Sequence, residues 1–308
     1  MKIIFMGTPA FAAEFLQHLL KTEHEISAVV TQPDKPAGRG KTLTPPPVKV
    51  LAESVGLDVL QPTDLASPDF EETLKKYEAD LFVVVAFSIL PKNILGASKY
   101  GAINIHGSLL PKYRGAAPVQ RAIENGDKET GVTIFLLDEK MDHGPIIERR
   151  KVEITPEDTY TTLLDKMVEP ASDALDHALK ALEQEKPVFL EQLHEEATPA
   201  KKIKKEEGLL DFSKAASEIH NKIRAFTPWP GGFSTLQGKK VYLRKTTLPE
   251  ISMSLKPGEI RFENKRMLVG TAKGILEVLN IQVEGKKEMP VASFIQGLHH
   301  KEGLFFCS

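Results

Sequence analysis

Two hydrophobic periods alternate through the first half of the chain. Lys2–Met6 is a short apolar run of strand length. Pro9 then stands where a first-turn proline belongs, and Phe11, Phe15, Leu16, Leu19 and Leu20 recur at helical spacing. Ile26–Thr31 reads as a strand, Pro45–Pro47 stop the loop after it, and Val48–Val55 suits a helix. Val59–Leu60 is strand-like and Phe70–Tyr77 helical. Leu81–Phe87 ("LFVVVAF") is apolar at every position, as a strand covered on both faces must be. Ala102–Ile105 is the next strand, Ala116–Glu124 a helix and Val132–Leu137 a further strand. Repeated strand–helix–strand units predict an α/β fold. Its sheet is doubly wound, Rossmann-like and mostly parallel, with ligands beyond the carboxyl ends of its strands.

A long helical period covers roughly 157–184. After it, "EEATPAKKIKKEEG" (195–208) has no apolar period and carries blocks of both charges, so it reads as linker. Ser213 is placed to cap a helix over Ala215–Phe226, and "TPWPGG" (227–232) breaks the chain. Short segments follow at Lys240–Leu243, Gly258–Phe262, Met267–Thr271 and Ile275–Gln282, punctuated by glycines, a pattern that suits a smaller β-barrel. With 308 residues, two domains are expected. The expected division is residues 1–188, a linker over 189–206, and residues 207–308.

Composition narrows the class. Hydrophobic residues make up 41% and charged residues 27%, the mix of a globular enzyme. Cys307 is the only cysteine, which excludes an intramolecular disulfide and a Cys-based zinc site and fits a reducing cytoplasm. The N-terminal apolar run breaks at Gly7–Thr8–Pro9 and reads as no signal peptide, and Leu81–Phe87 is too short to span a bilayer. Charge is uneven. Residues 201–308 hold 19 Lys and Arg against 11 Asp and Glu, and residues 1–200 hold 21 against 31. An acidic first part and a basic second part suggest a polyanionic partner; solvated lysines with no partner are the alternative.

Candidate chemistry gathers at strand ends. "MGTP" after the first strand lacks GxGxxG, so Gly7 marks a close backbone approach or a plain turn rather than a dinucleotide site. Asn104 and His106, two apart on a strand, share one face while Ile103 and Ile105 take the other. They are either a ligand-facing pair or a satisfied buried pair. Asp142 in "EKMDHGPI" follows the strand Val132–Leu137 and is expected at the same carboxyl edge, unless it is only a turn residue. His106, His143 and an Asp make a poor metal set, and no metal is expected. Asn, His and Asp without a Ser or Cys nucleophile suit polarising a carbonyl and moving a proton while an outside nucleophile attacks. The long loop 31–49 carries Lys35, Arg39, Lys41 and Lys49, with Arg39 between two glycines; it is either a mobile surface loop or a functional one.

The motifs "NIHGSLLPKYRGAAPVQRAI", "MDHGPI", "TQPDKPAGRGKTLTPPPVKVLA" and "IRAFTPWPGGF" together resemble the methionyl-tRNA formyltransferase family over nearly the whole chain. The first two motifs are common to folate-dependent formyltransferases, and the other two are more specific. The resemblance implies 10-formyltetrahydrofolate as co-substrate, no metal, and the α-amine of methionyl initiator tRNA as acceptor. It implies that Asn104 and His106 stabilise the oxyanion, and that Asp142 orients His106 and relays a proton. Ser108, Leu109, Leu110 and Pro111, with Phe87, Ile89 and Leu90, would line the folate site. Arg39, Lys35 and Lys41 would reach the tRNA, and the second domain would be an OB-like tRNA-binding barrel in a cytoplasmic monomer. "VVVAFSILPKNIL" is a residue shorter than the family's usual turn, so the pocket around 87–90 departs from the pattern. A formyltransferase for a small amine such as glycinamide ribonucleotide or an amino sugar nucleotide shares this chemistry, as does a formyltetrahydrofolate hydrolase. Neither needs the basic loop or the basic second domain. An RNA-binding protein without catalysis is the reading of another class.

Overall fold

The computed structural model describes residues 1–37, 42–184, 187–298 and 300–307. It divides into two compact units. One holds residues 1–118, 129–153 and 164–200; the other holds 119–128, 154–163 and 201–308.

The elements up to the long helix are β1 (Lys2–Gly7), α1 (Ala10–Leu19), β2 (Glu25–Val30), β3 (Lys35–Ala37), β4 (Thr42–Thr44), α2 (Pro47–Ser54), β5 (Val59–Leu60), α3 (Pro68–Lys75), β6 (Leu81–Val85), α4 (Lys92–Leu95), β7 (Ala102–His106), α5 (Pro118–Asn125), β8 (Glu129–Leu136), β9 (Ile146–Glu153) and α6 (Tyr160–Leu182). A seven-stranded sheet runs in the order β5-β2-β1-β6-β7-β8-β9. Its first five strands are parallel, and Phe5 and Phe82 are fully buried in it. From β1 the chain winds first outward through β2 and β5, then returns to β6 on the other side. The crevice beyond the carboxyl ends of β1 and β6 is therefore a topological switch point, where such sheets bind ligands. Gly7 ends β1 because a Cβ there would press on Ala12 Cβ at 2.8 Å and Val85 O at 3.1 Å; close packing requires the glycine.

Three expectations need correction. The strand expected over Val132–Leu137 runs antiparallel to β7, with His106 opposite Thr133 and Ile103 opposite Leu136. Its carboxyl end thus lies at the opposite edge from that of β7. A further antiparallel strand, β9, was not anticipated; its alternation of buried and charged residues belongs to the sheet's rim. The apolar run Leu81–Phe87 leaves the sheet after Val85, because Ala86 adopts φ +47° and turns the chain out.

The loop after β2 also holds structure. β3 and β4 form a two-stranded hairpin whose base is braced from below. The Lys49 ammonium donates to both Asp34 carboxylate oxygens at 3.0 Å and to Gln61 Oε1 at 2.9 Å. Gln61 in turn donates to Asp34 at 2.8 Å. The Gln61 amide and the Lys49 ammonium hold the Asp34 carboxyl below its ordinary value. Lys49 is a structural brace here, not a free cation of the loop.

In the second unit, α7 (Ala216–Ala225) and α8 (Val291–Gln296) accompany strands β10 (Gly232–Leu236), β11 (Lys239–Thr247), β12 (Glu259–Glu263), β13 (Arg266–Gly270), β14 (Ile275–Val283), β15 (Met289–Pro290) and β16 (Leu304–Phe305). The sheet order is β10-β11-β14-β13-β12-β16, and a bridge from Thr235 to Cys307 brings the two ends nearly into closure. The alternation read from the sequence puts Val241, Leu243, Met267, Val269, Leu276 and Val278 inside. Ser213 does not cap α7. Its hydroxyl donates to Asp211 at 2.6 Å, and the helix start is held by Glu218, which accepts from Ala215 N–H at 3.0 Å.

His220 of α7 is half-buried in this unit, its Nδ1 2.8 Å from Thr246 Oγ1 and its Nε2 3.3 Å from Pro156 O. Those partners suit the neutral ring, with Nε2–H donating to the carbonyl and Nδ1 accepting from the hydroxyl. Burial pushes the imidazole below its ordinary value. Below about pH 6.5 the unfolded chain therefore binds a proton that the folded chain refuses, and stability falls with pH through that window. Thermal unfolding between pH 8 and pH 5 is expected to show a shallower acid loss in His220→Gln than in the wild type. Identical slopes would remove His220 from the account.

Candidate active site

His106 ends β7 with its side chain 6% exposed. Its Nε2 lies 2.9 Å from the carbonyl oxygen of Tyr113, an acceptor, so this nitrogen carries the proton. The ring stands edge-on to Phe135 of β8, with centroids 6.3 Å apart. Nδ1 is left facing Asp142, whose Oδ2 lies 3.8 Å away, beyond hydrogen bonding but within strong Coulomb reach. The Asp142 carboxylate itself accepts from Gly115 N–H at 2.7 Å. The contact that orients His106 is therefore the Tyr113 carbonyl, a partner no side-chain motif could announce. Asn104, one step back on the same face, is half-buried, and its amide makes no hydrogen bond among the described residues. An amide, an imidazole nitrogen and a carboxylate thus gather above the end of one strand.

Asp142 does not reach this edge as the carboxyl end of a parallel neighbour. The turn after β8 folds back over the sheet, and β9 begins at Ile146 beside Phe135. Gly144 permits the return: a Cβ there would run into the carbonyl oxygen of Leu136. Asp142 holds φ +50°, a conformation that Asp adopts more readily than most residues.

The loop 107–115 is closed by its own polar groups. Ser108 is fully buried and its hydroxyl donates to Lys112 O at 2.6 Å. Thr133 on β8, also fully buried, donates to Ser108 O at 2.7 Å and accepts from Leu110 N–H at 3.1 Å. Leu110 is fully buried against Phe135 and Ile146, and Leu90 lies in the sheet's core. The side chains of Ser108, Leu110 and Leu90 therefore face protein, and their backbone is what a ligand can meet. Leu109, Pro111 and Phe87 are half-buried, and Ile89 is 69% exposed. Lys35 is exposed on β3. Arg39 and Lys41 lie outside the described residues. Sequence reasoning missed Tyr113, Thr133 and the segment 190–200, whose Gln192 donates to the carbonyls of Asp142 and Gly144. Only a Thr and a Gln at buried positions hinted at them.

Among the described residues no group of three or more His, Cys, Asp or Glu side chains could hold a metal ion, and no helix is long and apolar enough to cross a membrane.

Residues 1–179 match the family model described as "Formyl transferase", and residues 202–299 match "Formyl transferase, C-terminal domain". The chain is 46% identical over 302 residues to a methionyl-tRNA formyltransferase of Desulfotalea psychrophila, covering 96% of this chain and 93% of that one. It is 42% identical over 308 residues to a methionyl-tRNA formyltransferase of Agathobacter rectalis, covering 99% of each. Among solved structures, HypX from Aquifex aeolicus in complex with tetrahydrofolic acid is similar at a TM-score of 0.65 and 20% identity; the match takes in 100% of this chain and 51% of that longer one. The sugar 3N-formyl transferase WlaRD is similar at a TM-score of 0.67 and 20% identity, over 93% of this chain and 99% of that one. These two likenesses concern the fold, and they agree with the doubly wound sheet expected from the sequence.

The return of the 137–145 turn gives a direct test. The atom in the way of a side chain on Gly144 is backbone, so Gly144→Ala is expected to destabilise by about 1–3 kcal/mol in urea unfolding. Gly96→Ala, with nothing within 4 Å of its added carbon, should change stability by no more than about 0.5 kcal/mol. Equal stabilities for the two variants would show that the turn does not pack against β8 as described.

Proposed function

The chain belongs to the methionyl-tRNA formyltransferase family, and we propose that it transfers the formyl group of 10-formyltetrahydrofolate to the α-amine of methionyl initiator tRNA. The observation that carries this is the likeness to methionyl-tRNA formyltransferases along almost the entire chain, both units included. A small-amine formyltransferase would explain the first unit and leave the basic second one without a task.

The chemistry follows from the cluster. The acceptor amine attacks as the neutral base; a free α-amino group has a pKa of about 7.7–8.0, so a usable fraction is neutral near pH 7 without strong activation. As the N–C bond forms, negative charge builds on the formyl oxygen. The Asn104 amide, unclaimed among the described residues, is the neutral donor to that oxygen. His106, its Nε2–H held by Tyr113, offers Nδ1 as the second donor when protonated. Asp142 takes the proton released by the attacking nitrogen, directly or through water, and passes one to N10 as the C–N10 bond breaks. No step needs a covalent enzyme intermediate. The folate packs in the crevice bounded by Phe87–Leu90 and Ser108–Pro111, with Ile89 and Leu109 presenting side chains and the loop presenting backbone. The second unit, with its excess of Lys and Arg, holds tRNA phosphates, and Lys35, Arg39 and Lys41 reach toward the tRNA. The protein works as a cytoplasmic monomer.

Formyl transfer to Met-tRNA, to glycinamide ribonucleotide and to water, measured side by side, tests the acceptor; turnover confined to the small amine would overturn the proposal. In the same assay Asn104→Ala is expected to lose about 10²–10³ in kcat, the usual cost of one oxyanion donor, and Asp142→Asn about as much through loss of the proton relay, with folate binding retained. Near-normal turnover in either variant would return that residue to a structural role. Arg39→Ala should cut transfer to Met-tRNA while donor hydrolysis survives. Arg39→Lys should fail to rescue, because a planar fork and a point charge are not interchangeable. A lysine variant equal to wild type would reduce Arg39 to a charge.

A further inference from the structure

The segment 190–200 lacks apolar periodicity, yet in the first unit it is tied down at almost every step. Leu190 and Ile146 exchange both backbone hydrogen bonds at 2.8 Å. Gln192 is 5% exposed. Its amide nitrogen donates to Gly144 O at 2.7 Å and to Asp142 O at 3.1 Å. Its amide oxygen accepts from Arg114 Nη2 at 2.5 Å and Nε at 3.2 Å. Both halves of this amide are thus fully used. Two residues on, the His194 ring stacks on His143, with centroids 3.9 Å apart, and its Nδ1 lies 2.8 Å from Arg114 Nη2. Further along, Thr198 accepts Tyr113 N–H on its hydroxyl at 2.8 Å and Arg114 N–H on its carbonyl at 2.8 Å, while Ala200 N–H returns to Arg114 O at 2.6 Å.

Apart from the pairing of Leu190 with Ile146, the contacts just described fall on two loops. One is 113–115, which supplies the carbonyl that holds His106 and the N–H that holds the Asp142 carboxylate. The other is 142–144, which supplies Asp142. Gln192 is bonded to both, to Arg114 of the first and to the Asp142 and Gly144 carbonyls of the second. A buried, fully bonded amide at such a junction fixes the distance between the two loops. A shift of about 1 Å at a reacting group can cost 10²-fold in rate.

Resting on the functional reading above, we propose that Gln192 is a positioning residue for formyl transfer, and that the strap 190–200 is a clasp that sets Asp142 against His106. Gln192 touches no reacting atom; it acts through the Asp142 and Gly144 carbonyls on one side and Arg114 on the other.

Gln192→Glu is the informative variant. It keeps an acceptor for Arg114 and nearly the same volume, but replaces the donor to two carbonyls with a carboxylate oxygen that repels them. Its kcat for Met-tRNA formylation is expected to fall about 10²-fold, with KM for Met-tRNA unchanged. The same substitution made in Asp142→Asn should cost little further, because groups that act as a unit are not additive. A merely structural glutamine would cost the same in both backgrounds, and that result would overturn the proposal, as would full activity in Gln192→Glu. His194→Ala, an exposed change that spares the fold, should lower kcat in the same sense by a smaller factor; an unchanged kcat would confine the clasp to Gln192 and refute the role given to the strap. A second readout does not use turnover. Hydrogen exchange at the Gly115 amide, which donates to Asp142, should speed up at least about tenfold in Gln192→Glu, the equivalent of about 1.4 kcal/mol of local opening. If the wild type forms no formyl-Met-tRNA, the functional reading fails by itself, and Gly115 exchange still decides whether the clasp sets Asp142.

Discussion

A nearly buried imidazole at the end of a strand cannot leave either nitrogen to chance, and much of the first unit is arranged around that requirement. His106 needs an acceptor for its Nε2–H, and the acceptor is a carbonyl seven residues later. The chain must therefore turn back within 107–113. That return is what buries Ser108, brings its hydroxyl to Lys112 O, and calls for Thr133 on the neighbouring strand as both donor and acceptor. The same return leaves the N–H of Gly115 pointing at Asp142. The loop is built from hydrogen bonds to backbone, each about 1 kcal/mol net but costly to leave unmade once buried.

The reversal of β8 has a chemical side. In a parallel sheet the residue after the next strand would arrive at the reacting edge pointing along the strand axis. Here Asp142 comes from the turn after β8, close against Leu136 at Gly144, and its carboxylate meets both His106 and Gly115 N–H. Asn104 and His106 share one face of β7, and the Asp142 carboxylate lies 3.8 Å from His106 Nδ1. On the mechanism proposed above, the group that handles the proton is then distinct from the groups that hold developing charge, which suits a reaction in which one nitrogen loses a proton and another gains it.

The sheet and the barrel were legible because their cores are written in apolar periodicity. Leu81–Val85 is apolar throughout and is a central parallel strand; the alternation in Val241–Leu243 and Met267–Val269 is that of a barrel wall. Strand direction was not legible. Val132–Leu137 reads the same whichever way it pairs. Asn104, His106 and Asp142 stood out as polar side chains beside apolar runs. Their supports did not: Tyr113 acts through its carbonyl, and Gln192 acts on carbonyls of Asp142 and Gly144. A polar segment that bonds to backbone looks, in sequence, like one that bonds to water, and so 195–208 reads as linker. Lys49 misled for a related reason, since a lysine bound to Asp34 and Gln61 is spelled like a solvated one.

Closure of the second unit's barrel depends on residues far apart in the order of synthesis. β16 covers the open side of β12, and Ser234 donates to the carbonyl of Cys307 at 2.7 Å across 73 positions of chain. A ribosome making this protein therefore exposes the free edge of β10 well before its partner at Cys307 exists. Pairing of such distant segments is slow, and the waiting strands present unsatisfied backbone to any other nascent chain. The last few described residues thus act as a latch on folding itself, and the time between translating Gly232 and translating Cys307 is the interval during which this unit is most open to misassociation.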